Sequence, residues 1–341
     1  MLIPVVGYLL VSISRYGKII ATFEQKLLLM QEKVYKHALI TKSTGSWYQV
    51  KTEDGLLINC RIRGKFRIKG LSATNPLAVG DWVDIKIENN QETGLISHIY
   101  DRKNYIVRKS IKLSKQVQII ASNIDQAFLL ITLASPPTSL GFIDRFLVTA
   151  EAHQVPPILV FNKLDLFSEI RLDVLEECMD IYEGLGYSCL KISAKEGTNL
   201  DAIRILLQDK TSLMIGHSGA GKSTLINQLI GGLDLRTGSI SSFSDKGKHT
   251  TTFAEMFPLP TGGYVIDTPG IQEMGIVDIQ AEELGHFFPE FRERLQNCRF
   301  YNCKHINEPG CAVIQSIDDG SIAESRYQSY LSMYQGNETR A

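Results

Sequence analysis

The 341-residue sequence has no excess of charge of either sign: 36 Lys and Arg stand against 37 Asp and Glu, a formal net charge of -1. Affinity for nucleic acid has to come from local patches and not from the field of the whole chain. Cysteine is scarce, and six Cys in a chain of this length exclude a disulfide scaffold. A membrane-spanning run is missing too. The apolar stretch at residues 1–14 is broken by Pro4 and Gly7 and falls short of the roughly 20 residues a spanning helix needs. With no Lys or Arg before Arg15 it also lacks the charged start of a secretory signal. Residues 1–30 read as a leader, or as a stretch ahead of a true start at Met30, and no membrane partner is expected. The 44% hydrophobic and 21% charged residues are those of an ordinary globular protein, and the length predicts about two or three domains.

Residues 31–108 read as a first domain of short strands at 34–41, 47–52, 56–63, 79–87 and 95–100, with a turn at Asp54-Gly55. This spacing predicts a small β-barrel, and a five-stranded OB-fold suits the length. Within it Arg61, Arg63, Lys65, Arg67 and Lys69 alternate with Ile62, Gly64, Phe66 and Ile68, so period two puts the five cations on one strand face. More cations follow at Arg102, Lys103, Arg108, Lys109, Lys112 and Lys115. Two readings stand side by side: an RNA-binding stripe, or charge that protects a sheet edge.

A second domain is expected over 109–275. From residue 126 apolar strands (127–134, 158–161, 189–192, 212–215) alternate with amphipathic helices, the pattern of a parallel α/β sheet. The helix stripes are Phe142, Phe146, Leu147 and Ala150, then Ile170, Val174, Leu175, Cys178 and Met179, then Leu200, Ile203 and Leu207. They are expected to face the core, and Cys60, Cys178 and Cys189 to act as small buried hydrophobes.

Gly216-His217-Ser218-Gly219-Ala220-Gly221-Lys222-Ser223-Thr224 follows the last of these strands and opens a helix with Leu225, Ile226 and Leu229. This is the phosphate-loop pattern G-x-x-x-x-G-K-S in its required setting. Its glycines let backbone N–H groups turn around phosphates, Lys222 can reach the β/γ-phosphates and Ser223 can ligate Mg²⁺. Which nucleotide binds is a separate question. Asn162-Lys163-Leu164-Asp165, after the strand at 158–161, resembles the guanine-reading N-K-x-D of the GTPase family. A carboxylate there accepts hydrogen bonds from the N1–H and 2-amino group of guanine, a donor pair adenine does not offer. Ser193-Ala194-Lys195 resembles that family's S-A-K, with the Ala194 N–H toward the guanine carbonyl.

Asp267-Thr268-Pro269-Gly270 matches D-x-x-G, in which Asp267 would hold a Mg²⁺-bound water and the Gly270 N–H would sense the γ-phosphate. The Ser/Gly/Lys-rich stretch at 234–252 resembles switch I, and Thr251, ahead of Thr250, is its candidate Mg²⁺ ligand. N-K-x-D and S-A-K precede the phosphate loop, so the domain reads as circularly permuted. Chain termini can move in this way when the original ends lie close together.

A third, helical domain is expected over 276–341. Cys298, Cys303, His305 and Cys311 give the spacing C-x4-C-x-H-x5-C, which satisfies tetrahedral Zn²⁺ with no open position and so predicts a structural site. Disulfides are the alternative, with a fourth partner then missing. Flanking helices would use Leu284, Phe287, Phe288 and Phe291 on one side and Tyr327, Tyr330, Leu331 and Tyr334 on the other.

A multidomain chain of OB-fold barrel, permuted α/β P-loop GTPase and Cys3His module resembles the RsgA family of ribosome small subunit-dependent GTPases, over about residues 31–335. The resemblance implies a cytoplasmic, monomeric GTP hydrolase that uses Mg²⁺ with GTP and carries one structural Zn²⁺. It further implies that the protein binds the 30S subunit and its 16S rRNA late in maturation, is stimulated by the 30S subunit, and releases assembly factors or itself once the subunit is mature. Ile271 follows D-T-P-G where many GTPases carry a water-orienting Gln, so intrinsic hydrolysis should be slow and rest on Lys222 and the phosphate loop. His249 is the family's candidate for placing the water. The segment before Met30 departs from the family's usual start. Two rivals are an enzyme turning over a small molecule, and an RNA-binding scaffold whose GTP site only senses nucleotide or else a related permuted GTPase serving the large subunit.

Overall fold

The computed structural model describes residues 33–62, 76–87, 92–109, 117–133, 136–166, 169–231, 254–268 and 279–336. Strands β1 (Val34–Ser43), β2 (Tyr48–Lys51), β3 (Leu57–Ile62), β4 (Trp82–Ile87) and β5 (Thr93–Ile99) close on themselves in the order β1-β2-β3-β5-β4-β1. All neighbours are antiparallel except β3 and β5. Alternation along each strand sends Ala38, Ile40, Tyr48, Val50, Cys60, Val83, Ile85 and Ile96 inward, and the result is the expected five-stranded barrel. Val79, expected in a strand, makes instead an isolated bridge to Ala121.

β6 (Tyr105–Lys109) and β7 (Val117–Ser122) form a hairpin. Asp81 ties it to the barrel: its buried carboxylate accepts from Arg102 Nε and Nη2 and from Ser122 Oγ, each at 2.6 Å.

Six further strands are β8 (Gln126–Ile131), β9 (Pro157–Phe161), β10 (Ser188–Lys191), β11 (Thr211–Gly216), β12 (Glu255–Pro258) and β13 (Tyr264–Asp267). Their order is β10-β9-β8-β11-β13-β12, parallel except for β12. Side-chain alternation divides the packing. Ala127, Leu129 and Ile131 face α1 (Leu140–Ala152) and α2 (Glu169–Glu183), while Phe128 and Leu130 face α3 (Leu200–Leu207) and α4 (Lys222–Ile230). Val174 departs from the expected stripe and is 53% exposed. The face of α2 that meets the sheet runs through Leu175, Cys178, Met179 and Tyr182, an i, i+3, i+4, i+7 set that leaves Val174 to one side. Cys60 and Cys178 are buried, and Cys189 is half-buried. The barrel joins this sheet edge to edge through β1 and β12, where Lys42 pairs with Glu255 at 2.9 Å.

The C-terminal segment packs on α1. The single helix expected to carry Leu284 through Phe291 is instead a 3₁₀ helix, Ala281–Phe287, followed by a short α5 (Pro289–Arg292). Phe288 is extended, and Pro289 has no N–H to continue the ladder, so the helix breaks there. α6 (Ala312–Asp318) and α7 (Glu324–Tyr334) follow. Tyr330 and Tyr327 are core residues, donating to the Lys304 and His305 carbonyls at 2.6 and 2.8 Å. Among the described residues no helix is long and apolar enough to cross a membrane.

Candidate functional site

β8 and β11 are sheet neighbours from which the chain departs in opposite lateral directions, to β9 and toward β13. Such a reversal opens a crevice at the strands' carboxyl ends. The phosphate loop leaves β11 there at Gly216, and α4 begins at Lys222 with Gly221 as its N-cap at φ +99°. Glycine is required at 221 twice over. The positive φ disfavours a side chain, and a Cβ would run into Asn162 Nδ2.

That contact is the joint of the site. Asn162, 2% exposed, donates from Nδ2 to the Ala220 carbonyl at 2.8 Å and accepts at Oδ1 from the Ala194 N–H at 2.9 Å. One side chain thereby fixes N-K-x-D to both the phosphate loop and the S-A-K loop. Asp165, in the 3₁₀ turn Leu164–Leu166, accepts from Ser193 Oγ at 2.7 Å and lies 3.9 Å from Lys195 Nζ. Lys163 takes a left-handed φ of 70°, and the Leu164 N–H reaches the Ile192 carbonyl at 3.2 Å. Burial lowers the Lys163 ammonium from its ordinary value.

Lys222 Nζ donates to the Gly216 carbonyl at 2.6 Å and the His217 carbonyl at 3.4 Å. Burial holds its ammonium below the usual lysine value, and Asp267 partly offsets this. The same burial raises the Asp267 carboxyl, with Lys222 opposing. Asp267 Oδ1 is buried and has no hydrogen-bond partner among the described residues. The unpartnered Asp267 oxygen faces the charge of Lys222, and with the hydroxyl of Ser223, the next residue in the first turn of α4, it offers hard oxygen donors of the kind that suit Mg²⁺. Ser218 and Gly219 face solvent at the loop's outer turn, and Ala220 is buried against the core. His217 turns inward: it is 9% exposed and its ring lies 4.0 Å from that of Phe142 in α1. Thr224 stands in α4 beside Ser223. His249, Thr250, Thr251 and Gly270 lie outside the described residues.

A second cluster forms in the C-terminal segment. The donor atoms of Cys298, Cys303, His305 and Cys311 all lie within 4.8 Å of one another. His305 Nδ1 is 3.3 Å from Cys311 Sγ and 3.7 Å from Cys298 Sγ. The three cysteines are free of disulfides, and three sulfurs with one imidazole are a donor set that fits Zn²⁺. Glu308 folds the loop by accepting from the N–H groups of Lys304, Ile306 and Asn307 at 2.9, 2.9 and 3.1 Å. Sequence reasoning missed this residue, although the turn Asn307-Glu308-Pro309-Gly310 was there to mark it.

The basic stripe is described only at Arg61, exposed on β3; Arg63, Lys65, Arg67 and Lys69 lie outside the described residues. Arg102 does not extend it, because it is buried against Asp81, whereas Lys103 stays exposed and pairs with Asp125 at 3.1 Å.

Family comparisons agree with this arrangement. The model of the RsgA N-terminal domain matches residues 38–96, and that of the RsgA GTPase matches residues 99–277. The small ribosomal subunit biogenesis GTPase RsgA of Christiangramia forsetii is 54% identical over 311 residues, 91% of this chain and 97% of that protein. The protein of the same name from Bacteroides fragilis is 53% identical over 300 residues, 88% and 96% of the two chains. Among solved structures, YjeQ from Thermotoga maritima superposes with a TM-score of 0.71 at 36% identity, covering 90% of this chain and 99% of that one. YloQ, described as a circularly permuted GTPase, gives 0.66 at 30% identity, covering 92% and 97%. With a closed barrel, a permuted sheet and both family models in register, the chain belongs to the RsgA family of GTPases.

Proposed function

We propose that this GTPase acts in biogenesis of the small ribosomal subunit: it binds the 30S subunit through 16S rRNA, is stimulated by it, and hands the mature subunit on by releasing assembly factors or itself. The cytoplasmic setting follows from that role, and one chain suffices as a monomer. The observation that supports the GTP part of this reading is the Asn162 joint, which binds the N-K-x-D loop at once to the phosphate loop and to S-A-K; the small-subunit part rests on the relatives that carry that name.

In this reading Asp165 takes the N1–H and 2-amino protons of guanine, held in line by Ser193 and Lys195, and Asn162 and the Ala194 N–H meet the base edge. Residues 216–224 wrap the phosphates, and Lys222 gives up its loop carbonyls for β/γ oxygens. Mg²⁺ bound with GTP supplies charge neutralisation across those oxygens. Ser223 and Thr251 would ligate it directly and Asp267 through a water. The Gly270 N–H senses the γ-phosphate, and His249 places the attacking water. Cys298, Cys303, His305 and Cys311 hold one structural Zn²⁺, and Arg61, Arg63, Lys65, Arg67 and Lys69 contact RNA. The modules would be 31–108, 109–275 and 276–341, with 1–30 ahead of them.

Hydrolysis of GTP and ATP with added 30S or 50S subunits at fixed salt tests the proposal. GTP-specific stimulation by 30S alone supports it, stimulation by 50S moves the target, and indifference to both returns the small-molecule enzyme or the nucleotide-sensing scaffold. His249→Ala should keep GTP affinity and lose the stimulated rate; equal stimulated rates would remove His249 from the mechanism.

A further inference from the structure

Between the first two donors of the Cys3His cluster the chain runs Arg299-Phe300-Tyr301-Asn302. Tyr301 is 99% exposed and Phe300 41% exposed, while the aromatic residues around them, Phe291, Tyr327 and Tyr330, pack into the module. A ring left wholly in water contributes nothing to the core and forgoes the gain that burial brings. The loop is nevertheless a built one. Cys298 and Cys303 close it from both ends, the Arg299 N–H donates to the Gly310 carbonyl at 3.0 Å, and the Cys303 N–H donates to the Phe300 carbonyl at 3.2 Å.

The tip segment itself carries charge of one sign. Residues 298–305 carry Arg299 and Lys304 and no acid, and the Arg299 guanidinium lies 5.5 Å over the Phe300 ring. Two carboxylates bear on Lys304, Glu282 and Glu308, and Glu308 is held by three backbone N–H groups of the same loop. Flat rings flanked by cations suit a ligand with stacking faces and a phosphate backbone.

We propose that Phe300 and Tyr301, with Arg299 and Lys304, form a stacking site for unpaired bases of RNA. The site deepens the reading of the chain as a small-subunit factor and rests on it. Tyr301 takes a base on its open face, Arg299 braces Phe300, and the two cations meet the flanking phosphates.

The test measures binding of the full chain to 30S subunits and to protein-free 16S rRNA at one salt concentration, for the parent, Tyr301→Ala and Tyr301→Phe. Metal content and basal hydrolysis of each variant check the fold. Tyr301→Ala should weaken both interactions by about tenfold, the scale of one lost base stack, and Tyr301→Phe, which keeps the ring, should restore them. Unchanged rRNA affinity for Tyr301→Ala overturns the proposal, and if 30S affinity alone falls, the tip docks on a ribosomal protein instead. If the parent itself binds neither, the small-subunit reading fails and the stacking site with it.

Discussion

Arg326 Nη1 lies 2.6 Å from Asp144 Oδ1, a contact across 182 residues in which the two side chains are 1% and 0% exposed. Asp144 stands on α1, two residues after the Phe142 ring that touches His217 of the phosphate loop. Arg326 also pairs with Glu290 at 2.7 Å and lies 4.6 Å over Phe288, both in the C-terminal segment. The pair therefore fastens that segment to a helix that itself contacts the phosphate loop, while Tyr182 donates to Asp144 at 3.0 Å from α2. Burial favours the neutral form of Asp144 and Arg326 opposes it, so the acid depends on its partner.

Arg326→Ala leaves two buried carboxylates facing one another, and loss of one partner of a buried pair costs about 3–5 kcal/mol. Asp144→Ala removes one of those charges, so the double variant should be less destabilised than the sum of the singles. A double-mutant cycle on urea midpoints checks this. Additivity within about 0.5 kcal/mol would mean the two residues act independently.

Asn162→Ala should weaken GTP and GDP alike. The Ala194 N–H and the Ala220 carbonyl would lose a buried partner, at about 1–3 kcal/mol for each unsatisfied group, which converts to roughly ten- to hundredfold or more in affinity. Calorimetric titration of both nucleotides reads it. A loss confined to GTP would place Asn162 at the γ-phosphate instead of the loop joint.

Cys303→Ser should abolish stoichiometric zinc and open the C-terminal segment to protease between residues 298 and 311. The free energy of a structural zinc site is folding free energy, about 10–16 kcal/mol in small zinc modules. Both tryptophans, Trp47 and Trp82, sit in the barrel region, so their fluorescence should stay unchanged while the C-terminal segment unravels. Full zinc content in the variant would remove Cys303 from the donor set.

What was legible in the sequence was what is local. The barrel strands follow from period two, the permutation from motif order, and the Cys3His cluster from spacing. The phosphate loop announced its own glycines. Val174 was misread because a stripe read without its sheet has no fixed centre, and α2 turns one residue further round. The break at Phe288 was signalled by Pro289 and overlooked beneath a run of apolar residues. Arg326 was invisible for a physical reason. Its two acids lie 36 and 182 residues away, and an arginine in a Tyr-rich helix looks like any solvated cation until the packing is known.

His217 supplies a pH signature. Burial is the main cause of its lowered pKa, and the positive Lys222 and Arg145 act in the same direction. The unfolded chain therefore takes up a proton near the ordinary value of 6.5, while the folded chain resists until lower pH. Where the unfolded state binds more protons, stability rises with pH. The contribution of His217 is thus fully present above about 6.5 and is lost as pH falls from there toward the folded value. Replacing it with glutamine removes the titration, and every other group cancels when the two proteins are compared. The fall in thermal midpoint between pH 7.5 and 5.5, about one unit either side of that value, should be smaller for His217→Gln than for the parent. Equal falls would mean the imidazole is protonated in the folded protein, and that its contact with Phe142 tolerates a charge beside Lys222 and Arg145.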